Sequence, residues 1–150
     1  MTRPDSARAR VTRSIAADPT STALLLAGPA AMDLWPGLRR VGEAAGQVLV
    51  ETELAQGTAA GGVRARPPRR TPTAYVTRFQ TSGPGLPDAS GTLTLGYLPS
   101  ADAIHFTEAA LEVEADGLRR SGLSETSLQA LVTGFLDNLA DAAEARSRAA

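Results

Sequence analysis

The sequence predicts an α+β domain in which antiparallel strands curl around one long C-terminal helix. Three observations indicate this fold. A short alternating strand at residues 8–15 leads into two short helices that end at Trp35. Residues that alternate between apolar and polar then recur as far as Glu114. From Leu128 to Leu139, apolar residues follow the three-four spacing of an amphipathic helix.

Length and composition limit the class of protein. A chain of 150 residues is typically one domain and buries about 70% of the surface that its unfolded form exposes. It has no cysteine, which excludes thiol catalysis and disulfides, and one histidine, His105, which argues against a metal site built from several histidines. We therefore predict no metal and no cofactor.

Charge and hydropathy indicate the partners to expect. All fifteen basic residues are arginines, the formal net charge is −1, and no long block of one sign occurs, so we predict no nucleic-acid partner. The chain has no signal-like apolar segment and no run of eighteen apolar residues, which predicts a cytoplasmic protein without membrane insertion. We expect a mobile arm at residues 1–7, a domain at 8–145 and a frayed tail at 146–150.

The segment after the first strand carries helix signals. Asp18 and Pro19 provide an N-cap and a first-turn proline. Residues 23–27 are apolar all round, which predicts a buried helix that ends at Gly28 and Pro29. A second helical turn at 30–34 then leads to Trp35.

The alternating pattern in the middle of the chain predicts strands. Residues 47–54 place Val48 and Val50 on one face and Glu51 and Glu53 on the other. Residues 38–43 form a weaker strand that turns at residues 44–46, and the glycine-rich segment 57–62 is predicted to be a flexible turn.

Three later segments alternate in the same way. Residues 73–81 put Tyr75 and Phe79 on one face, and residues 91–98 group Leu93, Leu95 and Tyr97. The longest strand, 103–114, places apolar residues on one face and three glutamates on the other. Ile104 and Phe106 share the glutamate face, so the pattern allows a bulge midway and leaves the side of His105 open.

The closing helix has a clear start and one unusual residue. Ser124 is its predicted N-cap, and Leu123 is placed to pack on Leu128. Gly134 interrupts the apolar stripe at a cost of about 1 kcal/mol relative to alanine. It indicates either a close backbone approach or space for a bound molecule.

Two segments resemble a known superfamily. Residues 11–19, VTRSIAADP, and 34–38, LWPGL, are similar to the first strand with its helix start and to the helix exit of the SRPBCC superfamily, which includes START, birch-pollen-allergen and polyketide cyclase/dehydrase-like helix-grip proteins. The resemblance implies a seven-stranded antiparallel sheet around the C-terminal helix, with an apolar pocket for lipids, sterols or polyketides. Residues 22–23 and 102–103 depart from patterns that many relatives share.

On this fold we predict a ligand-binding interior. The proposed lining consists of Trp35, Val48, Val50, Tyr75, Phe79, Leu93, Leu95, Tyr97, Leu131 and Phe135. The alternative for each residue is ordinary core packing, with Trp35 as a plug between helix and sheet.

The predicted function is non-covalent binding of a small hydrophobic molecule, and the chain is also a candidate for homodimer formation. One alternative is a cofactor-free cyclase- or dehydratase-like enzyme, with His105 as the weak catalytic candidate. Another is a protein-interaction module with a filled core. Four arginines flank Pro67 and Pro68, and two roles are possible for them. They would either bind a carboxylate or phosphate or belong to a solvated loop; they are Arg64, Arg66, Arg69 and Arg70.

Overall fold

The computed structural model describes residues 6–54, 57–83, 85–98, 106–118 and 122–149, and it confirms the α+β prediction. The strands are β1 (Ser6–Ile15), β2 (Leu38–Ala44), β3 (Gln47–Leu54), β4 (Gly57–Ala65), β5 (Arg69–Arg70), β6 (Ala74–Ser82), β7 (Asp88–Leu98) and β8 (Phe106–Asp116). The helices are α1 (Pro19–Leu24), the 3-10 helix η1 (Pro29–Leu34) and the long α2 (Glu125–Ala149).

The strands form one curved, open antiparallel sheet. Its order is β1-β8-β7-β6-β4-β3-β2, and the two-residue β5 pairs with β6 beside this path. The sheet therefore has the predicted seven strands and one short addition. Helix α2 packs along β1, with further contacts to β8 and η1. No helix in the described part of the chain is both long enough and apolar enough to cross a membrane.

Strand β8 alternates without interruption. Its register with β7 and with β1 is continuous from Phe106 onward, so the bulge that the pattern allowed is absent from the described residues. Leu111 and Val113 face α2 and are buried, whereas Glu112 and Glu114 are exposed on the outer face. His105 lies outside the described residues.

The start of α1 follows the prediction. Asp18 accepts a hydrogen bond from the backbone amide of Ser21 at 2.8 Å, and Pro19 occupies the first turn. The helix predicted to end at Gly28 already ends at Leu24, and the predicted burial of the whole segment 23–27 is wrong at Leu24, which is 58% exposed, and at Ala27, which is also exposed. The cause is geometric, because such a short helix rests on the sheet with one face only.

The predicted flexible turn at residues 57–62 is also wrong, since this segment forms most of β4. Small residues are required here because the chain passes close to its neighbours. A Cβ atom on Gly61 would lie 2.5 Å from the carbonyl oxygen of Ser82 and 2.6 Å from the side chain of Leu86. Glycine in this strand therefore marks a close approach rather than a turn.

The β2–β3 hairpin turns where the sequence predicted it. Ala45 and Gly46 have φ angles of 53° and 78°, so the tight turn uses two left-handed residues. Strand β2 carries one extra residue, Val41, because the register with β3 shifts between Arg40 and Gly42. The result is a bulge in this edge strand.

Helix α2 begins as predicted, with the Ser124 hydroxyl accepting a hydrogen bond from the Ser127 amide at 3.0 Å. A Cβ atom on Gly134 would lie 2.5 Å from Cγ of Pro36, so this glycine serves a close approach. Asn138 donates to the carbonyl of Leu34 at 2.8 Å and fixes the same contact. The buried residues of the helix are Leu128, Val132, Phe135, Leu136, Leu139, Ala140 and Ala143.

Two observations bear on the chain ends. Strand β1 starts at Ser6, inside the predicted arm at residues 1–7, and α2 continues to Ala149, inside the predicted tail at 146–150. The domain limits at residues 8 and 145 remain predictions.

Candidate functional site

Three aromatic rings from three elements meet between the sheet and α2. Trp35 follows η1, Phe79 lies on β6 and Phe135 lies on α2. The rings of Trp35 and Phe79 meet edge to face with centroids 5.5 Å apart, and those of Trp35 and Phe135 lie 4.4 Å apart. Such pairs gain about 0.5–1.5 kcal/mol beyond burial. We call these rings the aromatic partition.

The position of Phe79 depends on a glycine in the neighbouring strand. Gly91 of β7 is the register partner of Phe79, and a Cβ atom there would overlap the phenyl ring. The ring therefore lies flat over the β7 backbone and reaches Trp35. A side chain at residue 91 would displace it.

An inner cavity of about 110 Å³ lies on one side of the partition, beside the first turns of α2. Its described lining consists of Trp35, Pro36, Leu38, Thr52, Val63, Phe79, Thr81, Leu86, Pro87, Ala89, Val113, Leu123, Leu128 and Leu131. Nearly all of these side chains are apolar. The cavity therefore suits a hydrophobic group better than water.

The polar side chain of Thr81 in this lining already forms hydrogen bonds within the protein. The Thr81 hydroxyl donates to the carbonyl of Pro87 at 2.6 Å and accepts from the amide of Ala89 at 2.9 Å. Because these bonds hold the β6–β7 connection, the hydroxyl is not free to hydrate the cavity.

A small void of about 30 Å³ lies on the other side of the partition. Trp35 and Phe79 border both spaces, so the partition is about one side chain thick. The other described side chains around the void are Leu26, Ala31, Met32, Ala65, Thr77, Leu93, Leu111 and Phe135. A space of this size is large enough for a water molecule but not for a drug-sized ligand.

A wider side groove of about 430 Å³ opens beyond the void. Its walls are residues 26–32, the β2–β3 turn at 43–48 and residues 65–67. The groove and the small void share Leu26, Ala31, Met32 and Ala65. A single layer of side chains therefore separates the groove from the void, and the aromatic partition separates the void from the inner cavity.

The predicted lining residues divide among these spaces. Trp35, Phe79 and Leu131 border the inner cavity, Leu93 and Phe135 border the small void, and Val48 borders the side groove. The continuous pocket that the fold implied is absent from the described residues, because the rings of the partition fill its centre. The binding role of these residues remains a prediction.

The other four predicted residues lie elsewhere. Val50 and Leu95 are buried in the core with 0% and 1% exposure and border none of the three spaces. The Tyr75 hydroxyl lies 3.0 Å from the Thr20 hydroxyl. Tyr97 is 43% exposed near the end of β7, on the same face of the strand as Leu95.

The sequence patterns did not predict several residues of the cavity lining. Val63 lies in the strand that was partly mistaken for a turn, and Leu86 and Pro87 lie in the turn before β7. Val113 and Leu128 belong to apolar faces that the sequence did predict. Their periodicity was the available signal, but it does not distinguish a cavity wall from a filled core.

The described interior offers little acid-base chemistry. The buried hydroxyls of Thr22 and Thr107 donate to the backbone carbonyls of Asp18 and Ala17 at 2.9 Å and 2.7 Å. No group of three or more acidic or histidine side chains among the described residues is placed to hold a metal ion. The described interior is therefore predominantly apolar.

Solved structures show which fold this is. The chain matches a conserved protein from Geobacillus kaustophilus (TM-score 0.66, 14% identity, 93% of this chain and 96% of that one) and the Zhui aromatase/cyclase from Streptomyces sp. R1128 (0.60, 20%, 96% and 97%). It also matches a START superfamily protein from Mycobacterium smegmatis (0.58, 12%, 93% and 95%). The protein has the START-like helix-grip fold.

This fold confirms the resemblance seen in residues 11–19 and 34–38. No protein-family model matches the sequence, and no curated protein matches it. At identities of 20% and below, the START-like likeness concerns the fold and leaves the ligand open.

Proposed function

We propose that this START-like protein binds a small hydrophobic molecule, lipid- or polyketide-like, between the sheet and α2. The observation that supports this is the inner cavity, whose described walls are almost entirely apolar and which the aromatic partition borders on one side. Ligand pockets of proteins are lined mainly by hydrophobic and aromatic side chains in this way.

Binding requires the partition to move. The inner cavity measures about 110 Å³, whereas drug-sized ligands occupy pockets of about 300–1,000 Å³. Displacing the ring of Trp35 or Phe79 would join the inner cavity, the small void and the side groove. Trp35 lies at the junction of η1 and β2, two residues before Gly37, whose φ of 73° favours glycine.

The test uses the single tryptophan of the sequence as its reporter. We would titrate palmitate and anthraquinone into the protein and record Trp35 emission, which changes when the partition moves. Ala89 lines the inner cavity, so Ala89→Phe fills it and is expected to weaken binding by about tenfold, or about 1.4 kcal/mol.

The matched control is Ala110→Phe, which adds the same ring on the outer face of β8 and is expected to bind as the unmodified protein does. An unchanged Trp35 spectrum with both probes would contradict the proposal and favour the interaction module with a filled core. Equal weakening by the two variants would show that the probes do not occupy the cavity.

A second candidate function is a cofactor-free cyclase- or aromatase-like activity. It is favoured by the likeness to the Zhui aromatase/cyclase, which covers 96% of this chain. The partition rings would hold a reactive chain in a folded conformation, and His105 or a tyrosine would move a proton. Incubation with a linear poly-β-keto thioester should then yield a cyclised product that His105→Ala fails to form.

The predicted cytoplasmic location, homodimer and lack of nucleic-acid binding are further expectations of this proposal. Size-exclusion chromatography with light scattering measures the oligomeric state directly.

A further inference from the structure

The outer face of the sheet carries four neighbouring arginines. Arg78 lies on β6, Arg64 on β4, Arg66 just after β4 and Arg69 on β5. All four are exposed. We call them the arginine patch, and it lies on the opposite side of the sheet from the inner cavity.

The strand register places Arg78 at the centre of the patch. The backbone amide of Arg66 donates to the carbonyl of Arg78 at 3.0 Å, which continues the β4–β6 register and sets these two residues opposite each other. Arg64 pairs with Gln80 and Arg69 pairs with Val76, so both are diagonal neighbours of Arg78. Like charges directly opposite on adjacent strands destabilise a sheet.

Four other arginines of the described chain form ion pairs with acids. The ion pairs are Arg8 with Glu112 and Glu114, Arg13 with Asp137, Arg39 with Glu51, and Arg40 with Asp33. Within the same described residues, no acid forms an ion pair with an arginine of the patch. Arg64 donates one long hydrogen bond, 3.4 Å, to the carbonyl of Ala45.

The nearest acids on this face belong to β8. Glu112 is opposite Thr92 of β7, which is opposite Arg78, so Glu112 is two strands from Arg78, about 10 Å away at the usual strand spacing. Glu112 and Glu114 are, in addition, already within reach of Arg8. Both carboxylates face the groove that runs over the patch, but their ion-pair partner in the described chain is Arg8 and not an arginine of the patch.

An open outer groove of about 550 Å³ runs over this patch. Arg64, Arg66 and Arg78 line it together with Phe79, Gln80, Ser90, Gly91 and Thr92, and Glu112 and Glu114 line it on the β8 side. Guanidinium groups bind phosphate oxygens through paired hydrogen bonds, and hydroxyls donate to the remaining oxygens.

We propose that the outer groove binds a phosphate-bearing ligand carrying at least two negative charges. Three guanidinium groups match a phosphate monoester or pyrophosphate better than a single carboxylate. The ligand is either a soluble organophosphate or a lipid headgroup. This proposal does not rest on the proposed hydrophobic ligand and stands whether or not such a molecule binds in the interior.

The first experiment titrates inorganic pyrophosphate and follows backbone amide shifts and binding heat. The shifts should concentrate at Arg66, Arg78 and Thr92, and Arg78→Gln should weaken binding by about tenfold, or about 1.4 kcal/mol. Arg10→Gln is the control, because it removes an exposed arginine from the same face at β1, opposite Glu112, with the same change in net charge.

A second measurement separates a binding role from a structural one. Without any anion, Arg78→Gln should raise the melting temperature, because it relieves repulsion from Arg66; a purely structural arginine would lower it. Pyrophosphate should stabilise the unmodified protein and leave Arg78→Gln nearly unaffected. Equal weakening by Arg10→Gln, or no shift at the patch, would overturn the site.

Vesicles distinguish the two sources of phosphate. Sedimentation with phosphatidic acid in phosphatidylcholine, compared with phosphatidylcholine alone, reports a lipid headgroup when it depends on Arg78. Pyrophosphate binding without such sedimentation assigns the site to a soluble organophosphate. Failure with both probes would refute the proposal.

Discussion

At the scale of single residues, the lack of a side chain at Gly91 determines how the interior packs. Gly91 lets the Phe79 ring lie over β7, and that ring then meets Trp35 with centroids 5.5 Å apart. Trp35 in turn lies against Phe135. The division between the inner cavity and the small void therefore traces back to one glycine.

Gly91→Ala tests this dependence. The added methyl group would displace the Phe79 ring, and we expect a loss of about 1–3 kcal/mol in the free energy of unfolding, together with a shift in Trp35 emission. Chemical denaturation and fluorescence measure both effects.

The control for this prediction is Gly28→Ala, since a Cβ atom there would have no neighbour within 4 Å. That change should leave Trp35 emission unaltered. An identical response from the two variants would mean that Gly91 does not set the position of Phe79.

The residue scale also shows what the sequence predicts well. Alternation assigned Phe79, Leu93 and Val113 to the inner face, because side chains in a strand point to opposite sides in turn. It did not predict that Phe79 would fill the centre of the pocket, since this depends on Gly91 in another strand. Cross-strand partners are fixed by register, which a local pattern does not contain.

At the scale of elements, α2 is held to η1 through a tight contact. The Pro36 ring fits against the backbone at Gly134, and Asn138 bonds to the carbonyl of Leu34. The sequence offered two readings of Gly134, and the close approach is the one that the structure shows. Helix α2 thereby holds Trp35 next to Phe135.

Gly134→Ala has two opposite effects on stability, one through helix propensity and one through this contact. Alanine favours the helix by about 1 kcal/mol, but its Cβ atom would lie 2.5 Å from Cγ of the rigid Pro36 ring. We expect net destabilisation in thermal unfolding. In the Pro36→Ala background the same change should become stabilising, and a double-mutant cycle measures the difference. Stabilisation in both backgrounds would contradict the close contact.

Strand β4 shows why an element was missed. Its first six residues, 57–62, include three glycines and two alanines, which have low strand propensity. Pairing with β3 on one side and β6 on the other determines its conformation instead. Tertiary contacts thus override the local signal, and Val63 reaches the inner cavity from this strand.

At the scale of the whole molecule, the sheet is open and ends at β1 and β2. Strand β2 is largely exposed, and the bulge at Val41 interrupts its row of backbone groups. Bulges of this kind protect sheet edges from pairing with another copy.

Deleting Val41 would remove the bulge and extend a straight edge. We expect concentration-dependent self-association, measured by light scattering, because the free amides of β2 would then match a second β2. Val41→Thr keeps the extra residue and should behave as the unmodified protein. If the deletion variant keeps the same mass at all concentrations, the bulge does not prevent self-association through β2.

The divided interior also has a consequence under hydrostatic pressure. Empty space inside a folded protein disappears when the chain unfolds, which makes the volume change of unfolding negative. The inner cavity of about 110 Å³ is partly open to solvent, so compression favours the unfolded chain to the extent that the apolar walls keep water out of it. A molecule bound in the cavity would fill this space. The pressure needed to unfold the protein would then rise with occupancy, even where the melting temperature changes little.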